Sequence, residues 1–556
     1  MTMHRSDFIR PWSRSMAPVS PSPLAALDPY NGVWTMREAT HLLKRLTFGI
    51  KPAEIHQVVQ DGLQVSLQKL LVVDAIPSPP LNVYSNATKP DPDIPFGQTF
   101  VNAPINAALP PEYYNSRNDT FKVWWVGNLL QQNTNVTEKM TLFWHNHFAT
   151  ETSTVQIAQA MYQYYKLLRE NCLGNFKTLA TKITLNPAML RYLNGYLNGK
   201  DAPDENYARE LQELFTVGKG PDSKYTEEDV KSAAKVLTGY RINPFVMPMT
   251  YYFDFTQHDT SNKKFSSFYN GKIITGKFLG QGEQELAELI DMLFSNQETA
   301  RHICRKLYRF FVYYDIDDTI ETNVIHPLAN LLIQSNFEVL PVLKKLFSSQ
   351  HFFDASIMNA VIKNPLDYAV GICREFSVEF PKPVNDTTLI EQYLSWGAVY
   401  ALAGYQGLNL GEPPVVAGWQ AWYQQPQYHE IWINADSLAN KNSIAEKITS
   451  PMGVEFLGIR LKIDPTIITA QFSNPHDPVQ LVQDAVAFFY NYPLSEASYN
   501  YFKNNLVGGF PNDSYWGLAW NEFRTKPNDP AARSAVEIRL NALYREIMSQ
   551  AEYHLS

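Results

Sequence analysis

The run Asp204-Glu205-Asn206-Tyr207-Ala208-Arg209-Glu210-Leu211-Gln212-Glu213-Leu214-Phe215 decides the fold class. Tyr207, Leu211 and Leu214 recur at intervals of four and three and make an apolar stripe, while Asn206, Glu210 and Glu213 line the stripe beside it. Those intervals are the repeat of an α-helix with one buried face. Asp204 before Glu205 supplies an N-cap and acidic residues to the first turn, where the helix dipole favours them.

The same pattern extends in both directions. Upstream, Thr137-Glu138-Lys139-Met140-Thr141-Leu142-Phe143-Trp144 opens on a threonine that can cap a helix, and the chain from Phe121 to about Leu237 reads as mostly helical. Downstream, Thr226 with Asp229 three residues on has the form of a capping box with a shorter acid. Near the start, Ala39, Leu42, Leu43 and Leu46 mark a helix from Thr35 that Gly49 stops. A second helix, from Pro52-Ala53-Glu54, carries Ile55, Val58, Val59 and Leu63. Further helices are predicted from Glu283 to Phe347, around Pro365–Phe376, in Leu389–Ala403 and from Ser437 to the end.

Four stretches break the pattern. Residues 1–32 form a Pro/Ser-rich arm, and residues 76–120 hold nine prolines between Pro77 and Pro111. Residues 243–280, rich in Phe, Tyr, Thr and Gly, read as short strands or loops, and 404–435 as a Gly/Pro/Trp-rich loop. The expectation is a mainly α, multi-helical single large domain with a Pro-rich insertion and short β or loop segments. It divides into a flexible arm (1–32), a helical core (33–480, with the insertion at 76–120) and a C-terminal helical extension (481–556) packed on that core.

Composition narrows the function classes. The chain has 556 residues, 45% of them hydrophobic and 18% charged, which is ample for a large core. A net charge of −8, spread rather than blocked, lacks the basic surplus of a non-specific nucleic-acid binder. Mean hydropathy is −0.27, and the absence of an apolar run of about 18 residues argues against a membrane span. The first residues carry basic side chains but no apolar segment of about 7–15 residues, so no secretory signal is read and a cytoplasmic location is expected by default. Cys172, Cys304 and Cys373 form no CxxC pair, and Cys304 and Cys373 sit in apolar helical settings that suit inert buried thiols. GxSxG, P-loop, GxGxxG and HExxH motifs are all missing.

Five polar or aromatic groupings carry chemistry. Trp144-His145-Asn146-His147-Phe148, with Glu151 following, offers two imidazoles, which converge on a metal from a strand or a fraying helix end but diverge on a regular helix. Asn206, Glu210 and Glu213 place oxygen ligands or an acid–base set on one helix face, but Glu205, Arg209 and Glu213 equally make a ladder of surface ion pairs. His258-Asp259 supplies a base beside an acid. Arg301, Arg305 and Arg309 form a stripe that suits a carboxylate or phosphate, or a salt-bridged face. Trp419, Trp422, Tyr423, Tyr428 and Trp432 read either as a stacking platform or as core packing.

Several motifs in order resemble the bacterial family called domain of unknown function 1800. They are His41-Leu42-Leu43-Lys44-Arg45-Leu46-Thr47-Phe48-Gly49 with Pro52–Ile55, Phe143–Phe148, and the block from Asn186-Pro187-Ala188-Met189-Leu190 through Asn206–Leu211 to Phe215–Gly218. Tyr225–Val230, Leu237-Thr238-Gly239, His258-Asp259, Arg301–Phe311, Lys363-Asn364-Pro365, Gly418-Trp419 and Trp432-Ile433-Asn434 continue the likeness over roughly residues 35–550. The resemblance implies no activity. It implies export in related proteins, where this sequence shows no signal, and a partner with a phosphatase-like fold encoded nearby. It also singles out the polar motifs as one shared site.

Two functions follow as expectations. In the first, the protein is a metal-dependent hydrolase or oxidoreductase. His145, His147 and Glu210 bind a divalent Zn, Mn or Fe ion, Glu210, Glu213, His258 and Asp259 are catalytic, and Asn206, Arg209, Trp419 and Trp432 hold substrate. A metal-free acid–base set is the variant of this reading. In the second, the protein is a non-catalytic binding or assembly protein for a glycan or protein partner, and the polar motifs fix helix packing. Convergence of at least three of His145, His147, Glu210, Glu213 and His258 on one reachable pocket separates the two.

Overall fold

Helices begin where capping side chains wait for the first free N–H groups. Thr35 and Glu38 close a reciprocal capping box on the Met36–Leu46 helix, and Thr226 and Asp229 do the same for Glu227–Val236. Asp204 Oδ1 accepts the Asn206 N–H at 2.8 Å and starts the Asn206–Glu210 helix, with Glu205 as the boundary residue. At Thr137–His147 the cap differs from expectation. Thr137 is already the first helical residue, Asn135 Oδ1 accepts its N–H at 3.0 Å, and the Thr137 hydroxyl donates to the Val72 carbonyl.

A computed structural model describes residues 26–278, 281–419 and 430–556. The chain is mainly α, as the periodicity predicts, with three short two-stranded antiparallel sheets among the described residues. The Pro111–Leu130 helix packs along Asp386–Gly404, and Thr137–His147 lies against Ala158–Glu170. The C-terminal Pro530–Ser549 helix packs on Glu496–Val507, Ser514–Thr525 and Ala435–Ile448. One continuous apolar core runs from Ala26 to Tyr553. Trp144, part of that core, is fully buried, and its indole N–H donates to the Cys172 carbonyl at 2.9 Å, so the ring is buried without an orphaned donor. All three cysteines are free and buried. Burial pushes the thiols of Cys172 and Cys373 up to about 12 and raises Cys304 as well, so none forms a thiolate near neutral pH.

Two of the sheets fall in or beside the predicted strand-and-loop segment: Tyr240–Asn243 with Thr250–Phe253, and Lys263–Lys264 with Ile273–Ile274. The third corrects the reading of a continuous helical run after Ser437, because Val454–Phe456 pairs with Ile459–Leu461. Leu457 and Gly458 both take positive φ, 46° and 82°, and two successive residues of that kind make the tight turn whose twist suits a hairpin.

The Pro-rich insertion is tied down by polar contacts. Arg117 pairs with Asp91 at 2.9 Å with both side chains wholly buried, and Tyr84 donates to the same carboxylate at 2.6 Å. The end of the N-terminal segment is also anchored. Ala26 is buried, and the Tyr30 N–H donates to the Ser348 carbonyl at 2.7 Å. Among the described residues, no helix is long and apolar enough to cross a membrane.

Candidate functional site

The two histidines of the Trp144–Phe148 motif lie on one regular helix, Thr137–His147. Residues two apart on a helix point about 200° away from each other, and both imidazoles are accordingly buried in different surroundings. His145 sits between the rings of Trp125 and Trp419, at centroid distances of 4.9 and 5.3 Å. Tyr164 donates its hydroxyl to the Phe148 carbonyl, so His145 Nδ1 is the donor in the 3.0 Å contact with the Tyr164 oxygen. Burial lowers the His145 pKa to about 3. His147 Nε2 donates to the Phe215 carbonyl at 3.2 Å, and burial, with Lys306 and His302 nearby, holds the ring neutral. Asn146, between them, accepts the Trp419 N–H at 2.8 Å. The approach is close: a Cβ on Gly418, where φ is +96°, would stand 2.2 Å from Asn146 Oδ1. The motif therefore pins three segments to one helix end.

The Asn206–Glu210 helix does not continue in α form. Leu211–Phe215 widens into a π turn, which leaves carbonyls without their usual partners. His147 takes the Phe215 carbonyl, and His302 Nε2 takes that of Leu214 at 3.0 Å. Gln212 is held by the Tyr269 hydroxyl at 2.8 Å, and the Thr216 hydroxyl donates to the Leu211 carbonyl at 2.6 Å. Sequence reasoning missed His302. Its only local signal is a histidine on the same helix as the arginine stripe.

The π turn sets the positions of the two glutamates. Glu213 is held by Lys219 at 2.5 Å and by the Tyr225 hydroxyl at 3.1 Å. Glu210 is half-buried and makes no hydrogen bond or ion pair to another described residue. Its burial, with the Glu213 charge second, raises the carboxyl from 4.5 to about 7. Tyr192, pushed up to about 12 by burial, feels Glu151, Glu210 and Glu412, so these acids share its neighbourhood. Glu412 is paired with Lys122 at 3.0 Å and accepts the Ser153 N–H.

The remaining residues go elsewhere. Arg209 pairs with Glu205 at 3.0 Å and Glu227 at 2.7 Å, so the expected Glu205–Arg209–Glu213 ladder is replaced by one that reaches the next helix. Asn206 is exposed. His258 faces Glu285 at 3.1 Å and the Thr238 carbonyl at 2.9 Å, and Glu285 is also paired with buried Lys263 at 2.6 Å. Asp259 accepts from the Ser261 N–H and hydroxyl. Trp419 and Trp432 are each 2% exposed, which removes them as stacking faces. Trp422, Tyr423 and Tyr428 lie outside the described residues. Arg301 pairs with Glu298, and Arg305 with Glu298 and Glu321, so this part of the stripe is salt-bridged.

The expected metal centre of His145, His147 and Glu210 is therefore not assembled. No hydrogen bond or ion pair joins either glutamate to His145, His147 or His258, and no three His, Cys, Asp or Glu side chains among the described residues are placed to hold a metal ion together. The physical cause is the regular helix, which sends one imidazole to each side. The small cavity under Tyr207, bounded by Thr184, Asn198 and Tyr240, has a volume of about 10 Å³, space for at most one water.

The model of the family described as protein of unknown function (DUF1800) matches residues 41–522. The chain belongs to the DUF1800 family. No curated protein and no solved structure shows a significant match to it. The motifs that carry the family likeness divide by task in this member. Trp144–Phe148 joins helix ends, Thr226–Asp229 caps, His258 enters a buried ion-pair network, and Glu210 alone among the acidic candidates is left without a partner among the described residues.

Proposed function

We propose that the protein is an enzyme whose proton-transfer group is Glu210, acting without a histidine–metal centre in a hydrolytic reaction. The observation that carries this reading is the contrast between two carboxyls three residues apart, Glu210 at the end of the α-helix and Glu213 in the π turn. Glu210 has no partner among the described residues and is raised to about 7, whereas Glu213 is held by Lys219 and Tyr225. A carboxyl that keeps its proton near neutral pH can give it to a leaving oxygen, while an ionised neighbour orients water or stabilises developing positive charge. The test is a panel of chromogenic esters and glycosides over pH 5–9 with wild type and Glu210→Gln. A substrate turned over by the wild type and slowed roughly 100-fold or more in Glu210→Gln supports the role. Equal turnover by both, or a ¹³C-observed Glu210 titrating near 4.5, rejects it.

The second reading, a non-catalytic assembly protein, is favoured by a different observation: Asn146, His147 and His302 all spend their hydrogen bonds on holding segments together. Co-expression with a phosphatase-like-fold protein, the class of partner that the family resemblance implies, tests it. A stable complex on size exclusion that persists in Glu210→Gln favours assembly over catalysis.

A further inference from the structure

Away from Glu210, a cavity has three buried cations, Lys44, Arg45 and Lys139, and the half-buried Arg309 in its wall, beside the apolar Phe310, Val361 and Ile362. Lys44 and Arg45 come from the Met36–Leu46 helix, Lys139 from Thr137–His147 and Arg309 from Gln297–Phe311, with Asn364, Asp367 and Ser556 closing the other side. Lys44, Arg45 and Lys139 are 6%, 3% and 4% exposed. Two carboxyl groups also belong to the lining, that of Asp367 and the α-carboxyl of Ser556, the last residue of the sequence, and Asp367 is already engaged by Lys139 and by Asn364. Lys44 Nζ meets the Phe489 carbonyl at 2.7 Å rather than a carboxylate. Arg45 Nη2 donates to the Ile357 carbonyl at 2.8 Å, and its Nε and Nη1 are buried with no hydrogen-bond partner. The cations behind this lining do not neutralise it. Lys363 has Glu375 at 3.8 Å, and Lys441 donates to the carbonyls of Lys363 and Trp432.

An arginine does not lose its proton in a protein, so a buried guanidinium with unused N–H groups needs an anion. Lysine can escape by deprotonation, and burial, with Lys363 next, brings Lys44 down to about 7. Arg45 has no such escape. The cavity measures about 30 Å³, against about 10–15 Å³ for one water. A small ion with several oxygens fits, and charge-assisted donors reach the cavity from two helices, Met36–Leu46 and Thr137–His147.

We propose that this cavity is a binding site for one small tetrahedral oxyanion, inorganic phosphate or sulfate, held chiefly by Arg45 with Lys44 and Lys139 flanking it. The site shares no residue with Glu210 and does not depend on the proposed reaction.

The test uses the full chain purified in chloride buffers without phosphate or sulfate. Ion chromatography of the acid-denatured protein, and calorimetric titration with inorganic phosphate and with sulfate at constant ionic strength, are the readouts. About one phosphate or sulfate released per chain supports the proposal, and its identity tells which ion the site takes. Binding weakened roughly 10–100-fold in Arg45→Gln, as expected for a lost charge-assisted hydrogen bond, supports it further. If that variant does not fold, Lys139→Gln and the wild-type ion content still decide. No oxyanion released, together with the same melting temperature in phosphate as in chloride, overturns the proposal, and so does a carboxylate as the released ion.

Discussion

Replacing Glu210 by glutamine should make the protein more stable at pH 8.5 and leave it unchanged at pH 4. The carboxyl is raised from 4.5 to about 7 in the folded chain, so the folded state binds more protons than the unfolded state between those values. Stability then falls as pH rises through that window, and the penalty is fully present above pH 7. The gap between 4.5 and about 7 corresponds to about 3 kcal/mol at 1.36 kcal/mol per pH unit. Glu210 is only half-buried, and solvent screening reduces the usable figure to about 1.5 kcal/mol. Glutamine keeps the shape and removes the charge, so Glu210→Gln should gain about that much at pH 8.5. Urea unfolding of both proteins at pH 4, 5.5, 7 and 8.5 measures the difference directly. A constant difference across the series, or a variant less stable at pH 8.5, would falsify the reasoning. The first result would mean that Glu210 ionises like an exposed carboxylate, and the second that the fold stabilises its ionised form.

Other consequences concern the groups that hold the neighbourhood together. His147→Phe removes the donor to the Phe215 carbonyl and leaves a buried acceptor unmet, which should cost about 1–3 kcal/mol in chemical unfolding; an unchanged midpoint would show that the π turn is satisfied another way. Arg117→Met leaves Asp91 buried and unpaired and should cost about 3–5 kcal/mol. The Pro-rich insertion should then become the first site of limited proteolysis, and wild-type protease resistance in this variant would contradict the anchoring role.

Legibility in the sequence followed the range of the interactions. Thr35 with Glu38 and Thr226 with Asp229 are capping boxes complete within four residues, and the apolar stripe of Tyr207, Leu211 and Leu214 is built from neighbours one turn apart. Such contacts repeat the spacing of the residues that make them, so the mainly α class could be read directly. The hairpin at Leu457–Gly458 escaped because its strands are only three residues long, too short for alternation to stand out against helical surroundings.

The candidate site shows the other limit. From the sequence came the motif residues themselves, and the alternatives of convergence or divergence for His145 and His147. Which alternative holds depended on the Thr137–His147 helix staying regular to its last residue, and on a π turn offering the Phe215 carbonyl, 68 positions later, to His147. The free carboxyl of Glu210 and the unmatched guanidinium of Arg45 were likewise invisible, because a missing partner is a property of everything packed around a group. The chain by itself determined which segments are helical and which side chains carry chemistry. Tertiary structure alone decided which of those side chains are used up in holding the fold, since burial and pairing are set by segments hundreds of residues apart, such as Asn146 and Trp419.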